Sequence, residues 1–370
     1  MKKICILVSN IYAVGGCERV AANLANSFCE RYEVIVINGF DRQEQEVYSL
    51  DSGVRIISLI EGKTHLRSCY FKAIKKLHNI LVTLKPDVTL LINTGTYVFL
   101  PAFWKTKTKC VACEHTNLKN KFHTTSLISK LERLYAVWRC DKIVTLTFSD
   151  KKNYEKKYKI SPDKVVNIYN WIDSEIYKYH KVQSDNKKRI LSVGRFDPVK
   201  GYDILIEVAL KVLPNHKDWE WHIYGAGDNE YKEDIIQKIR KNNLDKQLIL
   251  KKPEKSIYKK YSEYSFLVLT SYYEGLPMVL LEAKACGLPA ISFSCPTGPD
   301  EIIRDGINGY LIPCYCINDM VERIDNLITC EKELQELSQN TQIDIEKFDK
   351  NTIMSQWIKL FDELTMEGNV

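Results

Sequence analysis

The sequence predicts an α/β protein of two doubly wound domains, each a parallel β-sheet between layers of α-helices. The chain has 370 residues, which is too long for one ordinary domain and suits two. Short apolar runs alternate with helical patterns in both halves, as in the βαβ units of parallel sheets. A polar, charged segment at 178–189 separates the two sets and indicates a linker. We therefore expect domains at 1–180 and 188–345, with a carboxyl-terminal helix at 349–366 that packs back onto the first domain.

The first domain begins with a buried strand at Ile4–Val8, followed by a glycine-containing loop and a helix. Apolar residues recur in that helix at helical spacing, at Val20, Ala21, Leu24, Ala25 and Phe28. A basic amphipathic helix is predicted at 66–84. Further strands are predicted at Val34–Ile37, Val54–Leu59, Val88–Ile92, Lys109–Ala112 and Ile143–Leu146.

The second domain repeats the alternation of strands and helices. Strands are predicted at Ile190–Val193, Trp219–Tyr224, Leu248–Leu250, Phe266–Thr270 and Ala290–Phe293. Helices are predicted at 201–213, 229–243, 254–261, 277–286, 317–329 and 331–340. Doubly wound sheets bind ligands at the carboxyl ends of their strands, so we expect the site in the cleft between the two domains.

The composition is that of an ordinary globular protein, with 45% hydrophobic and 27% charged residues, which excludes a disordered or collagen-like chain. No apolar run reaches the roughly 18 residues of a transmembrane helix, and Ile4–Val8 is too short for the core of a signal peptide. We therefore expect a cytoplasmic protein. The twelve cysteines are scattered and no metal-binding spacing occurs, so we expect reduced thiols and no bound metal.

Charge is distributed unevenly between the two halves. Residues 1–185 contain 29 Lys and Arg against 18 Asp and Glu, whereas the remainder contains 24 against 29. The asymmetry suggests that the first half faces a polyanion. Helix 66–84 and segment 119–139 both place basic residues beside aromatic and aliphatic ones, and Arg133 and Arg139 are among these cations. This mixture favours the anionic surface of a membrane as the polyanion, with the protein bound peripherally. The sequence contains no motif that would indicate nucleic acid as the polyanion. The alternative is that these helices face the core and that their lysines are ordinary solvated residues.

Two cations flank a tight turn after the first strand of the second domain. Residues 194–201 read GRFDPVKG, with Arg195 and Lys200 at the carboxyl end of strand Ile190–Val193. Arginine grips two oxygens of a phosphate and lysine supplies a mobile point charge, so the pair suits a diphosphate. Two solvated surface charges are the alternative interpretation.

A second segment, at 271–289, combines two carboxylates with the start of a helix. Pro277 suits a first helical turn, so the backbone N–H groups around it, at Gly275, Leu276 and Met278, are predicted to point out of a helix N-terminus. Glu274 and Glu282 have seven residues between them, about two helical turns, and are predicted to lie towards one cleft. A carboxylate can accept hydrogen bonds from two neighbouring sugar hydroxyls. An acidic N-terminal residue favoured by the helix dipole, plus a surface glutamate, is the alternative.

These segments together resemble family 4 of the retaining glycosyltransferases, which have the GT-B fold of two Rossmann-like domains facing across a cleft. The resemblance spans nearly the whole chain. The motifs that carry it are GRxxxxKG at 194–201, the E-x7-E pattern of Glu274 and Glu282, Gly309–Leu311, the GG-x-E-R loop at Gly15–Arg19, the Glu114-His115 pair, and Asn170–Asp173, where Trp171 replaces the usual glycine.

The resemblance implies a role for each matching residue. Arg195 and Lys200 neutralise the departing diphosphate, Glu282 holds the ribose, and Glu274 holds the transferred sugar. The implied catalytic residues are His115, Arg195, Lys200 and Glu274. The implied donor-binding residues are Gly15, Gly16, Arg195, Lys200, Gly225, Gly275, Leu276, Pro277, Met278 and Glu282. The base is expected near the Gly225–Gly227 turn and the 251–257 loop, where Lys251-Lys252-Pro253 departs from the family pattern.

The resemblance also implies the substrates and partners. The segment at 296–303, PTGPDEII, resembles enzymes of bacterial capsule, O-antigen and lipid-linked oligosaccharide assembly. We expect transfer of a hexose or N-acetylhexosamine from a nucleotide-sugar, most commonly UDP-linked in this family, to a glycan or undecaprenyl-type lipid-linked acceptor, with no cofactor. An epimerase of the same fold acting on nucleotide-sugars stays an alternative. A Rossmann oxidoreductase is a rival class, and the lack of a GxGxxG motif after the first strand argues against it.

Overall fold

The computed structural model describes residues 1–13, 15–41, 48–62, 66–120, 127–183, 187–227 and 229–366. The chain divides into two compact units. Unit 1 comprises Met1–Tyr169 together with Met354–Val370, and unit 2 comprises Asn170–Ile353. Each unit is built around its own parallel β-sheet.

Unit 1 contains a seven-stranded sheet in the order β3-β2-β1-β4-β5-β6-β7, and each neighbouring pair is parallel. The strands are β1 Lys3–Val8, β2 Glu33–Asp41, β3 Arg55–Glu61, β4 Val88–Ile92, β5 Lys109–Glu114, β6 Lys142–Thr145 and β7 Val165–Asn167. The helices are α1 Gly16–Cys29, α2 Leu66–Leu84, α3 Leu127–Arg139 and α4 Phe148–Tyr158, and a 3-10 helix occupies Thr94–Phe103.

The central strands of unit 1 are mostly apolar and are buried along nearly their whole length, because helices cover both faces of a doubly wound sheet. Every residue of β4 is buried. Helix α1 turns its periodic apolar residues, among them Val20, Leu24 and Phe28, into the core. The carboxyl-terminal helix α11, Lys350–Met366, completes this core, since the Phe28 ring lies 5.1 Å from that of Phe361 in an edge-to-face contact.

Unit 2 contains a six-stranded sheet in the order β10-β9-β8-β11-β12-β13, again parallel throughout. The strands are β8 Arg189–Val193, β9 Glu220–Tyr224, β10 Leu248–Lys251, β11 Phe266–Leu269, β12 Ala290–Phe293 and β13 Gly309–Ile312. The helices are α5 Tyr202–Val212, α6 Glu230–Lys241, α7 Met278–Cys286, α8 Pro299–Ile302, α9 Ile317–Thr329 and α10 Glu331–Gln339.

The predicted fold class is confirmed: both units are doubly wound parallel α/β structures. Two details of the prediction are wrong. The helix expected at 254–261 is a 3-10 helix at Ile257–Glu263, and Pro277 does not lie inside the first turn of α7 but caps it. Two strands were not predicted, β7 and β13. Both are short strands at sheet edges, with three and four residues, which leaves little periodicity to detect.

Candidate functional site

The point where strand order reverses in unit 2 lies between β8 and β11. These two strands are neighbours in the sheet, but the chain leaves β8 towards β9 and leaves β11 towards β12. In open parallel sheets the loops on either side of such a point separate and leave a crevice at the carboxyl ends of the strands. The two segments that follow these strands are the Gly194–Gly201 turn and the 270–277 loop.

The backbone of the Gly194–Gly201 turn packs closely against the backbone at the end of β11. The Asp197 carboxylate accepts a hydrogen bond from the Val199 backbone at 3.0 Å and caps the short helix that ends at Lys200. Gly201 has φ 64°, and a Cβ there would lie 2.2 Å from the Thr270 carbonyl oxygen. Only glycine satisfies both conditions, so this position fixes where the Lys200 side chain begins.

Lys200 and Glu274 join the two loops through an ion pair. The Lys200 Nζ lies 2.7 Å from Glu274 Oε1, and the two side chains are 20% and 9% exposed. Ser271 Oγ donates a second hydrogen bond, of 2.6 Å, to the same oxygen. Arg195 extends into solvent from the same turn and forms no ion pair with any residue that the structure describes. Among the described residues, Lys200 is thus an ion-paired cation at this crevice and Arg195 is a cation without an ion pair.

Helix α7 begins at this crevice, with Pro277 as its N-cap residue. The first backbone N–H groups of a helix have no partner within the helix and carry partial positive charge. Thr297 Oγ1 donates to the Glu274 carbonyl at 3.1 Å, and a Cβ on Gly298 would lie 2.5 Å from the Gly275 carbonyl oxygen. The loop before α7 is therefore held from its other side by the segment that follows β12.

Glu282 lies inside α7 and is buried, at 4% exposure. Tyr261 donates a hydrogen bond of 3.2 Å to its Oε2 atom. Glu274 instead contacts Lys200 and Ser271, so the two glutamates are held by different partners. Sequence reasoning missed both Tyr261 and Ser271, although Ser271 could have been found from its position directly after a predicted strand.

A cavity of about 530 Å3 lies beside this crevice at the ends of β9 and β10. Gly225 and the segment Lys251–Pro253 contribute to its lining, together with apolar side chains that include Ile236. A Cβ on Gly225 would lie 2.3 Å from the Gly194 carbonyl oxygen. Glycine is needed there because the β8 and β9 turns touch. Gly225 and the first three residues of the expected 251–257 loop thus line one concave surface.

In unit 1 the strand order reverses between β1 and β4, and the glycine pair follows β1. Gly15 is the N-cap residue of α1, and its carbonyl accepts a hydrogen bond of 3.0 Å from the Tyr48 hydroxyl. A Cβ on Gly16 would meet no atom within 4 Å. Gly16 therefore leaves open space at the start of α1, next to the strand-order reversal.

His115 directly follows β5 and is neutral over most of the pH range. Burial lowers the pKa of its imidazole to about 4. Its Nε2 atom is buried and forms no hydrogen bond with the described residues. A neutral ring with a free nitrogen can donate or accept one hydrogen bond, according to its tautomer.

Glu114, which precedes His115, forms a buried ion pair with Arg133 of α3. The Arg133 Nε lies 3.3 Å from Glu114 Oε2, and Nη2 donates to Thr116 Oγ1 at 2.9 Å and to Thr94 Oγ1 at 3.2 Å. The prediction that placed Arg133 among membrane-facing cations is therefore wrong. Its guanidinium instead ties α3 to the loops after β4 and β5, because a buried carboxylate requires a paired charge.

Comparisons with known proteins decide the family. Residues 14–176 match the family model described as Glycosyltransferase Family 4, and residues 173–344 match the model described as glycosyl transferases group 1. The chain belongs to glycosyltransferase family 4. Both matches agree with the resemblance carried by the motifs around Gly15 and Glu274.

Three similar proteins over nearly the whole chain come from bacteria. An uncharacterized glycosyltransferase of Haemophilus influenzae is 29% identical over 96% of this chain and 99% of its own length. The amylovoran biosynthesis glycosyltransferase AmsD of Erwinia amylovora is 27% identical over 96% and 99%. A Campylobacter jejuni alpha-1,4-N-acetyl-D-galactosaminyltransferase, named for a glycan on PP-undecaprenol, is 25% identical over 98% and 99%.

Solved structures agree on the fold. One is a mutant of Staphylococcus aureus TarM in complex with fondaparinux, alpha-GlcNAc-glycerol and UDP. It superposes with a TM-score of 0.81 at 17% identity, and the match covers 98% of this glycosyltransferase and 100% of the TarM chain. Both Rossmann-like units are thus those of the GT-B fold. Among the described helices of this glycosyltransferase, none is both long and apolar enough to cross a bilayer.

Proposed function

We propose that this glycosyltransferase moves a hexose or N-acetylhexosamine, with retention of anomeric configuration, from a UDP-sugar to a glycan or lipid-linked glycan in bacterial surface polysaccharide synthesis. Its relatives support the pathway, because they include an amylovoran biosynthesis enzyme and an enzyme named for an undecaprenol-linked glycan. The UDP in the TarM complex supports the nucleotide.

The observation that carries the proposal is the Lys200–Glu274 ion pair at the reversal of strand order. A lysine held by a carboxylate at 2.7 Å is positioned before any ligand arrives. A diphosphate carries more negative charge than one carboxylate, so it attracts the Lys200 ammonium, while Ser271 keeps its hydrogen bond to Glu274. Arg195 supplies the second cation, and its planar fork suits bidentate contact with phosphate oxygens.

The remaining unit 2 residues are assigned to parts of the donor. Glu282 accepts hydrogen bonds from the ribose hydroxyls, and Glu274 accepts one from the transferred sugar. The N–H groups at the start of α7, around Leu276 and Met278, donate to sugar hydroxyls or to the β-phosphate. Gly225 allows close approach of the nucleotide, and the base is assigned to the 530 Å3 cavity that it helps to line.

The unit 1 residues are assigned to hydrogen bonding and close approach. His115, whose pKa burial lowers to about 4, is neutral at physiological pH and forms a hydrogen bond to a hydroxyl of the donor sugar rather than an ion pair. Gly15 and Gly16 leave backbone accessible to a donor phosphate or to the acceptor.

The proposed chemistry needs no protein nucleophile. The bond between the sugar C1 and the β-phosphate oxygen breaks while the acceptor oxygen bonds C1 on the same face, and the acceptor proton passes to the departing phosphate oxygen. Negative charge grows on the diphosphate in this step. Lys200 and Arg195 stabilise that charge, and electrostatic stabilisation of this kind is commonly the largest single contribution to catalysis.

A nucleotide-sugar thermal-shift panel tests the donor, because a ligand that binds the native protein raises the melting temperature by mass action. We expect UDP and one UDP-sugar to raise it and GDP-sugars to leave it unchanged. Proton NMR of the glycosylated product then reports the anomer. An inverted anomer would overturn the retaining mechanism, and an epimerised donor without any acceptor product would replace the transferase by an epimerase.

A further inference from the structure

Helix α3 presents an apolar stripe to solvent. Its exposed apolar residues are Leu127, Ile128, Leu131, Leu134 and Trp138, at 71%, 63%, 56%, 52% and 76% exposure, and we call them the α3 face. Their spacing of three and four residues puts them on one side of the helix. Arg133, Ala136 and Val137 on the opposite side are buried. The stripe is therefore not part of the hydrophobic core of unit 1.

Exposed apolar side chains are concentrated in unit 1. Among the described residues, only Ile307 and Tyr315 of the exposed large apolar residues belong to unit 2. Single exposed apolar residues are normal on a protein surface, whereas a contiguous patch marks a contact with another molecule or a membrane. The α3 face is such a patch.

Two nearby elements of unit 1 also carry exposed aromatic side chains. The 3-10 helix Thr94–Phe103 contacts α2, where the Tyr70 hydroxyl donates to the Val98 carbonyl at 3.1 Å, and it contacts α3, where Arg139 donates to the Phe103 carbonyl at 2.6 Å. The residue after Phe103 is Trp104, which is exposed, as is Phe71 beside Tyr70. Exposed aromatic side chains thus lie on α2 and directly after the 3-10 helix that contacts α3. Aromatic rings are favoured at the interface between headgroups and acyl chains.

The surroundings of the α3 face are cationic. Residues 66–109, which include α2 and Trp104, contain eight Lys and Arg against one acidic residue. Lys72, Lys75, Lys105 and Lys107 are exposed, and none of them forms an ion pair with a residue that the structure describes. Cations left unpaired around an apolar patch complement an anionic surface.

The cationic border continues beyond α3. Helix α4 carries Lys151, Lys152, Lys156 and Lys157. Burial, together with the charges of Arg133 and Lys130, lowers the pKa of Lys157, because the carboxyl-terminal end of α4 approaches α3.

We propose that the α3 face docks on an anionic lipid bilayer, with Trp138 and its apolar neighbours in the interfacial region and the surrounding lysines on the headgroups. Pairing of two copies through this face would bring the same unpaired lysines together, whereas anionic headgroups neutralise them. The inference deepens the proposed function, on which its purpose rests, because a lipid-linked acceptor stays in the bilayer. Docking itself requires neither donor nor acceptor.

Vesicle co-sedimentation without any substrate tests the proposal. The vesicles contain phosphatidylcholine alone or phosphatidylcholine with phosphatidylglycerol, at low and at high ionic strength. The apolar variant is Leu131→Gln/Leu134→Gln/Trp138→Gln, and its matched control is Ile307→Gln/Met366→Gln, both exposed apolar positions outside α3. The charge variant is Lys72→Glu/Lys75→Glu/Lys105→Glu, with Lys217→Glu/Lys241→Glu/Lys246→Glu of unit 2 as control.

We expect the wild type to pellet with anionic vesicles and to be partly released by salt, since charge attraction is screened but apolar insertion is not. Each α3-side variant should lower the vesicle partition coefficient by roughly tenfold or more, and both controls should match the wild type. The single variants Leu134→Gln and Trp138→Gln should each show part of the loss, which keeps the test valid if the triple variant misfolds.

Failure of the wild type to bind anionic vesicles at low salt, or equal binding to phosphatidylcholine alone, would overturn the proposal. So would controls that lose as much binding as the α3-side variants. A dimer in light scattering that the apolar variant converts to monomer would assign the face to a second copy instead. If the thermal-shift panel fails while vesicles bind, the proposed donor is wrong and the docking surface stands.

Discussion

The Lys200 ammonium lies 2.7 Å from the Glu274 carboxylate, although the residues are 74 positions apart in the chain. Each belongs to a loop that follows one of the two strands at the reversal of strand order in unit 2. The pair therefore couples the proposed diphosphate site to the proposed sugar site. A change at Glu274 alters the freedom of Lys200 as well as the contact with the sugar.

The two glutamates should separate binding from turnover. Glu282→Ala removes the proposed ribose acceptor and should weaken UDP binding by roughly ten- to hundredfold, because a hydrogen bond to a charged group contributes about 1.5–3 kcal/mol. Glu274→Gln keeps the shape, releases Lys200 and removes the charged sugar contact, so turnover should fall while UDP affinity is kept or increased. Calorimetry with UDP and initial rates with the donor measure the two effects.

Glu274→Ala serves as a second variant, since it also removes the acceptor for Ser271. It should resemble Glu274→Gln in its UDP affinity. Equal losses of UDP affinity in the Glu274 and Glu282 variants would contradict this division of labour.

Activity should not depend on a divalent metal ion. Arg195 and Lys200 are proposed to supply the positive charge that the departing diphosphate needs, and the sequence contains no DxD motif. Initial rates after EDTA treatment should match those of the untreated enzyme. Lost activity that manganese or magnesium restores would decide against this prediction.

The periodic elements of both units could be predicted closely from the sequence. Helices α2 and α9 and strand β4 have the predicted bounds, because long amphipathic helices and fully buried strands leave strong patterns. The ends of strands were also enough to locate the Arg195–Lys200 turn and the Glu274 loop. Local spacing carries this information, since each pattern lies within one element.

Long-range pairings could not be predicted, because sequence spacing does not show which loops meet. Arg133 was expected at the surface and is buried against Glu114. Helix α2 and helix α3 carry similar basic and apolar patterns, yet Leu77 and Leu81 of α2 are buried whereas Leu131 and Trp138 of α3 are exposed. The packing of each helix against the sheet decides this difference.

Gly201→Ala should destabilise unit 2 and weaken UDP binding. The new Cβ would lie 2.2 Å from the Thr270 carbonyl oxygen, and the residue would keep φ near 64°. Gly306→Ala is a matched control, because Gly306 has φ 70° but open space around its Cβ position. The left-handed conformation alone costs alanine roughly 1–2 kcal/mol, so Gly201→Ala should lower the melting temperature clearly more than Gly306→Ala does. Equal melting temperatures of the two variants would show that the turn after β8 shifts to accommodate the new Cβ without loss of stability.

Asp150 should make the stability of unit 1 depend on pH. Burial, followed by repulsion from Glu114, raises the pKa of its carboxyl to about 7 from the usual 3.8. The folded protein therefore holds a proton between about pH 4 and pH 7 that the unfolded chain releases, so this group's contribution to stability is full below that window and is lost as pH rises through it.

Asp150→Asn keeps the Oδ1 acceptor for the Leu118 backbone, at 3.2 Å, and removes the charge. The variant should equal the wild type near pH 4 and exceed it at pH 8, by up to about 4 kcal/mol in free energy of unfolding. Asp150→Ala, which also removes the acceptor, should be less stable than Asp150→Asn at every pH. Melting temperatures of the three proteins across this range measure the effect, and a gap between wild type and Asp150→Asn that does not change with pH would refute the assignment.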